Sequence, residues 1–339
     1  MGRHRPGRYA RGPTAEEPEM SVYRTPDERF RDLPGYPFEP RYAEVEDPRL
    51  GSLRVHTVDE GPRNAPTVLM MHGEPTWSYL YRKMIPVFVK AGLRAVAPDL
   101  VGFGRSDKPT EQSDYSFENH VRWMHAWLSR LDLQDITLFC QDWGGPIGLA
   151  LLAAEQGRFQ RVVAANTMLH TVEANLAGRT TWANHSLGNG DVQISEMLLA
   201  WMLQSQRDPE FSAGPAIAGS TVRPVSPEVI AAYDAPFPEE RAKKGMRQFP
   251  ALIPITPFDP GVAINQATWV ALERFERPFL TLYGDGDPAT RGWDAIFQER
   301  VPGAKGQAHE ILADAGHFLQ EDWGEQVAER VVRFMRSTP

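Results

Sequence analysis

Asp142 stands in the stretch Ile136-Thr-Leu-Phe-Cys-Gln-Asp-Trp-Gly-Gly-Pro-Ile-Gly148, which continues as a helix-compatible run to Ala154. An apolar, β-branched run, a sharp glycine-flanked turn and a helix form a nucleophile elbow. The elbow residue here is an aspartate where serine is usual, and no Gly-x-Ser-x-Gly occurs anywhere in the chain. The substitution changes the chemistry. A serine alkoxide attacks carbonyl carbon, whereas a carboxylate needs no activating base and is suited to displacing a leaving group from an alkyl carbon.

Two more residues complete a triad in the order nucleophile, acid, base. Asp287 lies in Tyr283-Gly-Asp-Gly-Asp-Pro288, after the apolar run 279–283, and His317 lies in Ala313-Asp-Ala-Gly-His-Phe318, after the run 308–312. Each sits just past a predicted strand, as in an α/β-hydrolase triad. The acid has rivals: Asp285 shares the loop, and Asp314 stands three residues before His317. The strand after the nucleophile helix ends at Asn166, whose amide cannot carry the charge an imidazolium needs. Asp287, farther from the strand end, is preferred to Asp285, and Asp314 is read as fixing its own turn. The plainer readings are a turn carboxylate at Asp142 and a satisfied loop histidine at His317. The elbow sequence and the chain order speak against both.

An attacked aspartyl ester needs an oxyanion hole. Its two backbone N–H groups are expected from Trp143, after the nucleophile, and from Glu74 in His72-Gly-Glu-Pro-Thr-Trp77, after the first buried strand. The Glu74 carboxylate is read either as a help in placing water or as a buried acid paired with a nearby donor. The Trp143 indole is a donor with no acceptor capacity, which suits a departing halide. A second tryptophan would complete that cradle, and Trp201 and Trp182 are the candidates. The plainer role of Trp201 is core packing of an amphipathic helix.

The elements that position these residues alternate. A hairpin region spans about 41–60. Strands are predicted at 67–71, 93–97, 136–140 and 161–165, with helices at 79–91, 116–131 and 145–155 between them; this is the pattern of a doubly wound sheet. From about 172 to 257 helical pieces such as 194–203 and 227–233 are broken often by Gly and Pro, and no clear buried strand appears. The rhythm then resumes with helix 262–275, strand 279–283, helix 293–300, strand 308–312 and helix 325–335. A helical insertion between two parts of one sheet is expected to cap the C-terminal ends of the strands, where ligands bind. The expected organisation is therefore a core over 21–171 and 258–339 with a helical cap over 172–257.

Residues 1–20 are basic, rich in Gly and Pro and without periodicity, so they are read as a disordered tail. The 339 residues are 42% hydrophobic, enough for a full core, yet no apolar run is long enough to span a membrane. A net charge of −8 argues against nucleic acid or an anionic membrane as partner. The single cysteine, Cys140, excludes an internal disulfide and fits a reducing compartment. No apolar signal segment opens the chain, so the expected location is the cytoplasm. No Cys/His cluster offers a metal site.

The four stretches His72-Gly-Glu-Pro-Thr-Trp-Ser-Tyr-Leu-Tyr-Arg82, Asp99-Leu-Val-Gly-Phe-Gly-Arg-Ser-Asp-Lys-Pro109, Gln141-Asp-Trp-Gly-Gly145 and Asp314-Ala-Gly-His-Phe-Leu-Gln320 resemble the haloalkane dehalogenases. The likeness is to the branch with an Asp-His-Asp triad and a Trp-Trp halide site, and it runs from about Tyr23 to the C-terminus. Glu74 after His-Gly, with Trp143 after Asp142, is its specific part. The resemblance implies an α/β-hydrolase fold with an inserted helical cap. It implies Asp142 as nucleophile, His317 as base, Asp287 as its partner, and Trp143 with a cap tryptophan as halide ligands. The pair Ala200-Trp201 matches that cap position and favours Trp201 over Trp182. Cys140 departs from the small residue common at its position, and 172–198 matches poorly and is longer than usual.

The implied reaction converts an aliphatic haloalkane and water to alcohol and halide through an aspartyl-alkyl ester, with no cofactor, and the chain is expected to be a monomer. An epoxide hydrolase shares the nucleophile and base, but needs cap acids, usually two tyrosines, and Tyr233 is the only tyrosine between 172 and 257. A fluoroacetate dehalogenase needs arginines beside the nucleophile, where Trp143 stands. A non-catalytic binding protein of this fold need not keep the whole triad.

Overall fold

The computed structural model describes residues 21–173, 176, 178–187 and 190–338. The tail expected over residues 1–20 lies outside the described residues.

In chain order the strands are β1 (Val22–Tyr23), β2 (Arg41–Asp47), β3 (Gly51–Glu60), β4 (Thr67–Met71), β5 (Arg94–Pro98), β6 (Lys108–Pro109), β7 (Ile136–Gln141), β8 (Phe159–Ala165), β9 (Ala183–Leu187), β10 (Gly190–Ile194), β11 (Phe279–Gly284) and β12 (Glu310–Leu312). The helices are α1 (Ile85–Lys90), α2 (Phe117–Leu131), α3 (Gly144–Ala154), α4 (Glu196–Arg207), α5 (Ala213–Ala218), α6 (Pro227–Asp234), α7 (Lys244–Ala251), α8 (Pro260–Leu272), α9 (Trp293–Arg300) and α10 (Leu319–Ser337). Eight strands form one sheet in the order β12-β11-β8-β7-β4-β5-β3-β2. Only β3 runs against the others; its pairings with β5 and β2 are antiparallel, and the rest are parallel.

The central strands β4 and β7 are buried at every position, as expected of strands covered by helices on both faces. Chain order reverses about β4, which has β5 on one side and β7 on the other. Loops leaving neighbouring strands there part to opposite faces and open a crevice at their C-terminal ends. The loop after β4 carries Glu74 and the loop after β7 carries Asp142. Ser116 caps α2 by accepting the Asn119 N–H, satisfying one of the free donors of the first turn.

Between β8 and α8 the chain leaves the sheet. The helices expected at 194–203 and 227–233 are α4 and α6. This segment also holds α5, α7 and the hairpin β9–β10, which local sequence does not reveal. The two helices are six and eight residues long and contain Gly and Pro, so packing rather than propensity sustains them. The hairpin's strand β9 is exposed over 183–186, so it lacks the apolar run of a buried strand.

Candidate active site

The elbow is tight because its side chains leave it no room to be otherwise. Asp142 has φ 51°, a left-handed conformation that costs a non-glycine residue energy. It is held there by backbone and side chain: its N–H donates to Asn166 O at 3.0 Å, and its carbonyl accepts from Gly145 N at 2.9 Å and Thr167 Oγ1 at 2.7 Å. A Cβ on Gly144 would strike the Met71 carbonyl, and one on Gly73 would strike the Asp142 carboxylate. Glycine at both positions lets the elbow press against the loop after β4.

The structure brings the predicted triad together. His317 Nε2 lies 3.4 Å from Asp142 Oδ2, and His317 Nδ1 lies 3.2 Å from Asp287 Oδ1. The second contact is an ion-pair approach that is off line for a hydrogen bond. Asp287 is buried and accepts from Ala289 N at 2.8 Å and from the Thr290 hydroxyl. Burial alone would raise its pKa, but the His317 charge and these hydrogen bonds hold it below the usual carboxylate range. Of the rivals, Asp285 is exposed, and Asp314 is an exposed turn residue with φ 54°.

For His317 the opposing influences resolve upward. Burial pulls its pKa down; the Asp287 charge and the contacts with Asp142 outweigh that and push it up to about 10. Gln141 adds a neutral contact, its Nε2 lying 3.1 Å from His317 Nε2 and donating to the His317 carbonyl at 3.2 Å.

Of the two expected N–H donors, one touches the Asp142 carboxylate and the other is free among the described residues. Glu74 N–H donates to Asp142 Oδ1 at 2.7 Å. The Trp143 N–H, at the free N-terminal end of α3, meets no protein acceptor among the described residues. His72 fixes this loop: its Nδ1 lies 2.8 Å from Gly73 O, and its Nε2 accepts the Leu100 N–H at 2.9 Å, so Nδ1 is the protonated nitrogen.

A cavity of about 480 Å³ opens over Asp142. Its walls include Trp143, Met168, Leu198, Trp201, Ile253 and Phe318. The Trp143 ring is held edge-on between Phe117 and Phe249, with centroids 5.6 and 5.2 Å away, and its indole N–H has no protein acceptor among the described residues. Trp182 is not in this wall; it is buried against His170, ring centroids 4.0 Å apart. Trp201 lines the cavity, but its indole N–H donates to Glu74 Oε2 at 3.0 Å, a pairing sequence reasoning offered only in general terms. Burial and the charge of Asp142 raise the Glu74 pKa well above the carboxylate range, which favours its neutral form.

Asn166, which sequence reasoning treats only as an amide unfit to be the acid, has a part of its own. Its Nδ2 donates to Gly316 O at 2.7 Å and His317 O at 3.0 Å, and its Oδ1 accepts the Gly284 N–H at 2.8 Å. One buried amide thus ties the ends of β8 and β11 to the base loop. Its place at a strand end was the available signal.

Residues 66–322 match the α/β hydrolase fold family. The chain is 51% identical to a haloalkane dehalogenase of Psychrobacter cryohalolentis over 94% of this chain and 100% of that one. It is 45% identical to one of Mycobacterium marinum, over 92% and 99%. Among solved structures, the tetrameric haloalkane dehalogenase DpaA of Paraglaciecola agarilytica superposes with a TM-score of 0.78 at 37% identity, covering 91% of this chain and 97% of that one. A tetrameric relative leaves the expected monomer without support. No helix among the described residues is long and apolar enough to cross a membrane. The carboxylate elbow facing a histidine fits several hydrolases of this fold, and the identity shared over nearly the whole length of these relatives decides among them: the chain belongs to the haloalkane dehalogenases, hydrolases of the α/β-hydrolase fold.

Proposed function

We propose that the protein hydrolyses carbon–halogen bonds of aliphatic haloalkanes by two successive displacements, with residues 172–257 acting as its cap. Asp142 attacks the halogen-bearing carbon from behind, and the halide leaves toward the indole N–H groups of Trp143 and Trp201. Trp201 reaches the halide by giving up its bond to Glu74. The ester left on Asp142 is then attacked at its carbonyl by water. His317, oriented by Asp287, takes the water proton, and the N–H groups of Glu74 and Trp143 hold the oxyanion. Water and the haloalkane are the only partners this chemistry needs. The same reading includes a cytoplasmic setting, resting on the lone, buried Cys140.

The observation that carries the reading is the 3.4 Å approach of His317 Nε2 to a carboxylate at the elbow, in a cavity walled by apolar groups and indoles. The epoxide-opening alternative lacks its acid. Tyr233 is buried away from the cavity and donates its hydroxyl to Glu321. A halide-release assay over chloro- and bromoalkanes of graded length, with an epoxide series beside it, tests the choice. Halide release without epoxide opening is expected; diol formation without halide release would overturn it.

A further inference from the structure

Asp322 lies outside the triad, in the first turn of α10, with 3% of its surface exposed. A carboxylate buried to that degree needs several donors to offset its lost hydration. It has three, all backbone N–H groups, from two separate segments. From the cap, Arg223 N donates to Oδ1 at 2.7 Å, and Val222 N lies 3.1 and 3.2 Å from the two oxygens. From the base loop, Gly316 N donates to Oδ2 at 2.8 Å. Gly316 is the residue before His317.

The two segments also touch directly. His317 N–H donates to Ser220 O at 2.9 Å, and a Cβ on Gly316 would strike that same carbonyl. The Arg223 guanidinium lies 3.5 Å from the Trp323 ring centroid and covers the junction from outside. Ser220, Thr221 and Val222 line the cavity beside His317. The cap segment that lines the cavity and the loop that carries His317 therefore share one carboxylate, Asp322, as well as their direct contact.

We infer that Asp322 is a positioning residue that locks the His317 loop onto the cap segment 220–223, so that the base is aimed only when that segment is seated. The inference rests on His317 acting as base in the second displacement. Asp142 is held independently, by Asn166, Thr167 and the loop after β4. Loss of the Asp322 carboxylate leaves the buried Gly316 N–H and the two cap N–H groups without their acceptor and loosens the base loop, while the nucleophile keeps its contacts with Asn166, Thr167 and Glu74. The two chemical steps should then separate.

Rapid-mixing halide release with 1-bromobutane, beside wild type and His317→Gln, tests this. Asp322→Ala should release its first halide per site at close to the wild-type rate, then turn over about 10–100-fold more slowly, the loss expected when a catalytic group is misplaced by about an ångström. Asp322→Asn, which keeps one acceptor oxygen and guards against an alanine variant that does not fold, should recover part of the second rate. A purely structural role would lower both phases together, and that result, or an unchanged steady state, overturns the inference. If His317→Gln itself gives no first halide although wild type does, the two-step reading falls and this inference falls with it.

Discussion

At the residue scale, the chemistry turns on how one carboxylate changes the histidine beside it. Burial should make His317 a weak base, yet Asp287 and Asp142 together push its pKa up to about 10. An imidazolium cannot take a proton from water. In the proposed mechanism the difficulty is removed by the first displacement, which turns Asp142 into a neutral ester and withdraws both its charge and its hydrogen bond from His317. The base is thus released only once there is an ester to hydrolyse. Asp142→Asn mimics that loss of charge. Followed by NMR of the ring protons, His317 should titrate at a clearly lower pH in Asp142→Asn than in wild type; equal midpoints would mean that Asp142 does not govern the base. The triad was legible because each member follows a predicted strand. The choice of Asp287 over Asp285 became physical only with burial, since two aspartates two residues apart differ little in sequence but differ here between a buried and an exposed side chain.

At the element scale, the sheet was legible and the cap was partly so. Strands β4 and β7 announce themselves as apolar runs because helices cover both their faces. Short cap helices such as α5 carry no such mark, and their existence depends on what they pack against. α4 shows the consequence for function. Ser195 caps it by accepting the Leu198 N–H, and the helix then carries Trp201 over Glu74. A halide must compete with Glu74 for that indole N–H. Trp201→Phe should weaken chloride binding about tenfold, the effect of losing roughly 1.5 kcal/mol from a hydrogen bond to an anion. Glu74→Ala, which removes the competing acceptor, should tighten it. Chloride quenching of tryptophan fluorescence measures both, with Trp182→Phe as control. Damage from Trp182→Phe with Trp201→Phe unaffected would assign the halide to the wrong tryptophan.

At the scale of the whole molecule, cap and core are joined by buried charge as well as by apolar contact. The Glu321 carboxylate takes a bidentate contact from Arg82, a bond from Lys83 Nζ at 2.8 Å and the hydroxyl of Tyr233 on α6. Tyr79 completes the junction, with its ring 4.1 Å from the Arg82 guanidinium carbon and edge-to-face with Tyr233. No local pattern announces this network, whose central ion pair joins residues 239 positions apart. Removing the hydroxyl by Tyr233→Phe should cost about 1–3 kcal/mol of unfolding free energy, since a buried carboxylate oxygen loses one of its two donors. Burial raises the Glu321 pKa, but Arg82 and Lys83 bring it below its ordinary value. A carboxyl depressed in the folded state stabilises above its unfolded pKa, about 4.3, and loses that contribution as the pH falls through the folded value. Denaturant unfolding from pH 7 downward should therefore show stability falling below about pH 4.3, with a shallower fall in Glu321→Gln. An equal slope in both proteins would deny Glu321 that role.

The central claim is that Asp142 forms a covalent ester which water opens at the carbonyl. A single turnover in oxygen-18 water, with enzyme in excess over 1-bromobutane, tests it directly. Attack of water on the ester carbonyl leaves a labelled oxygen in the Asp142 carboxylate, so mass spectrometry of the peptide containing Asp142 should show a gain of one oxygen-18 while the first alcohol formed carries none. Label in the alcohol alone, with the Asp142 peptide unchanged, would mean that water attacks the substrate carbon directly and would contradict the account.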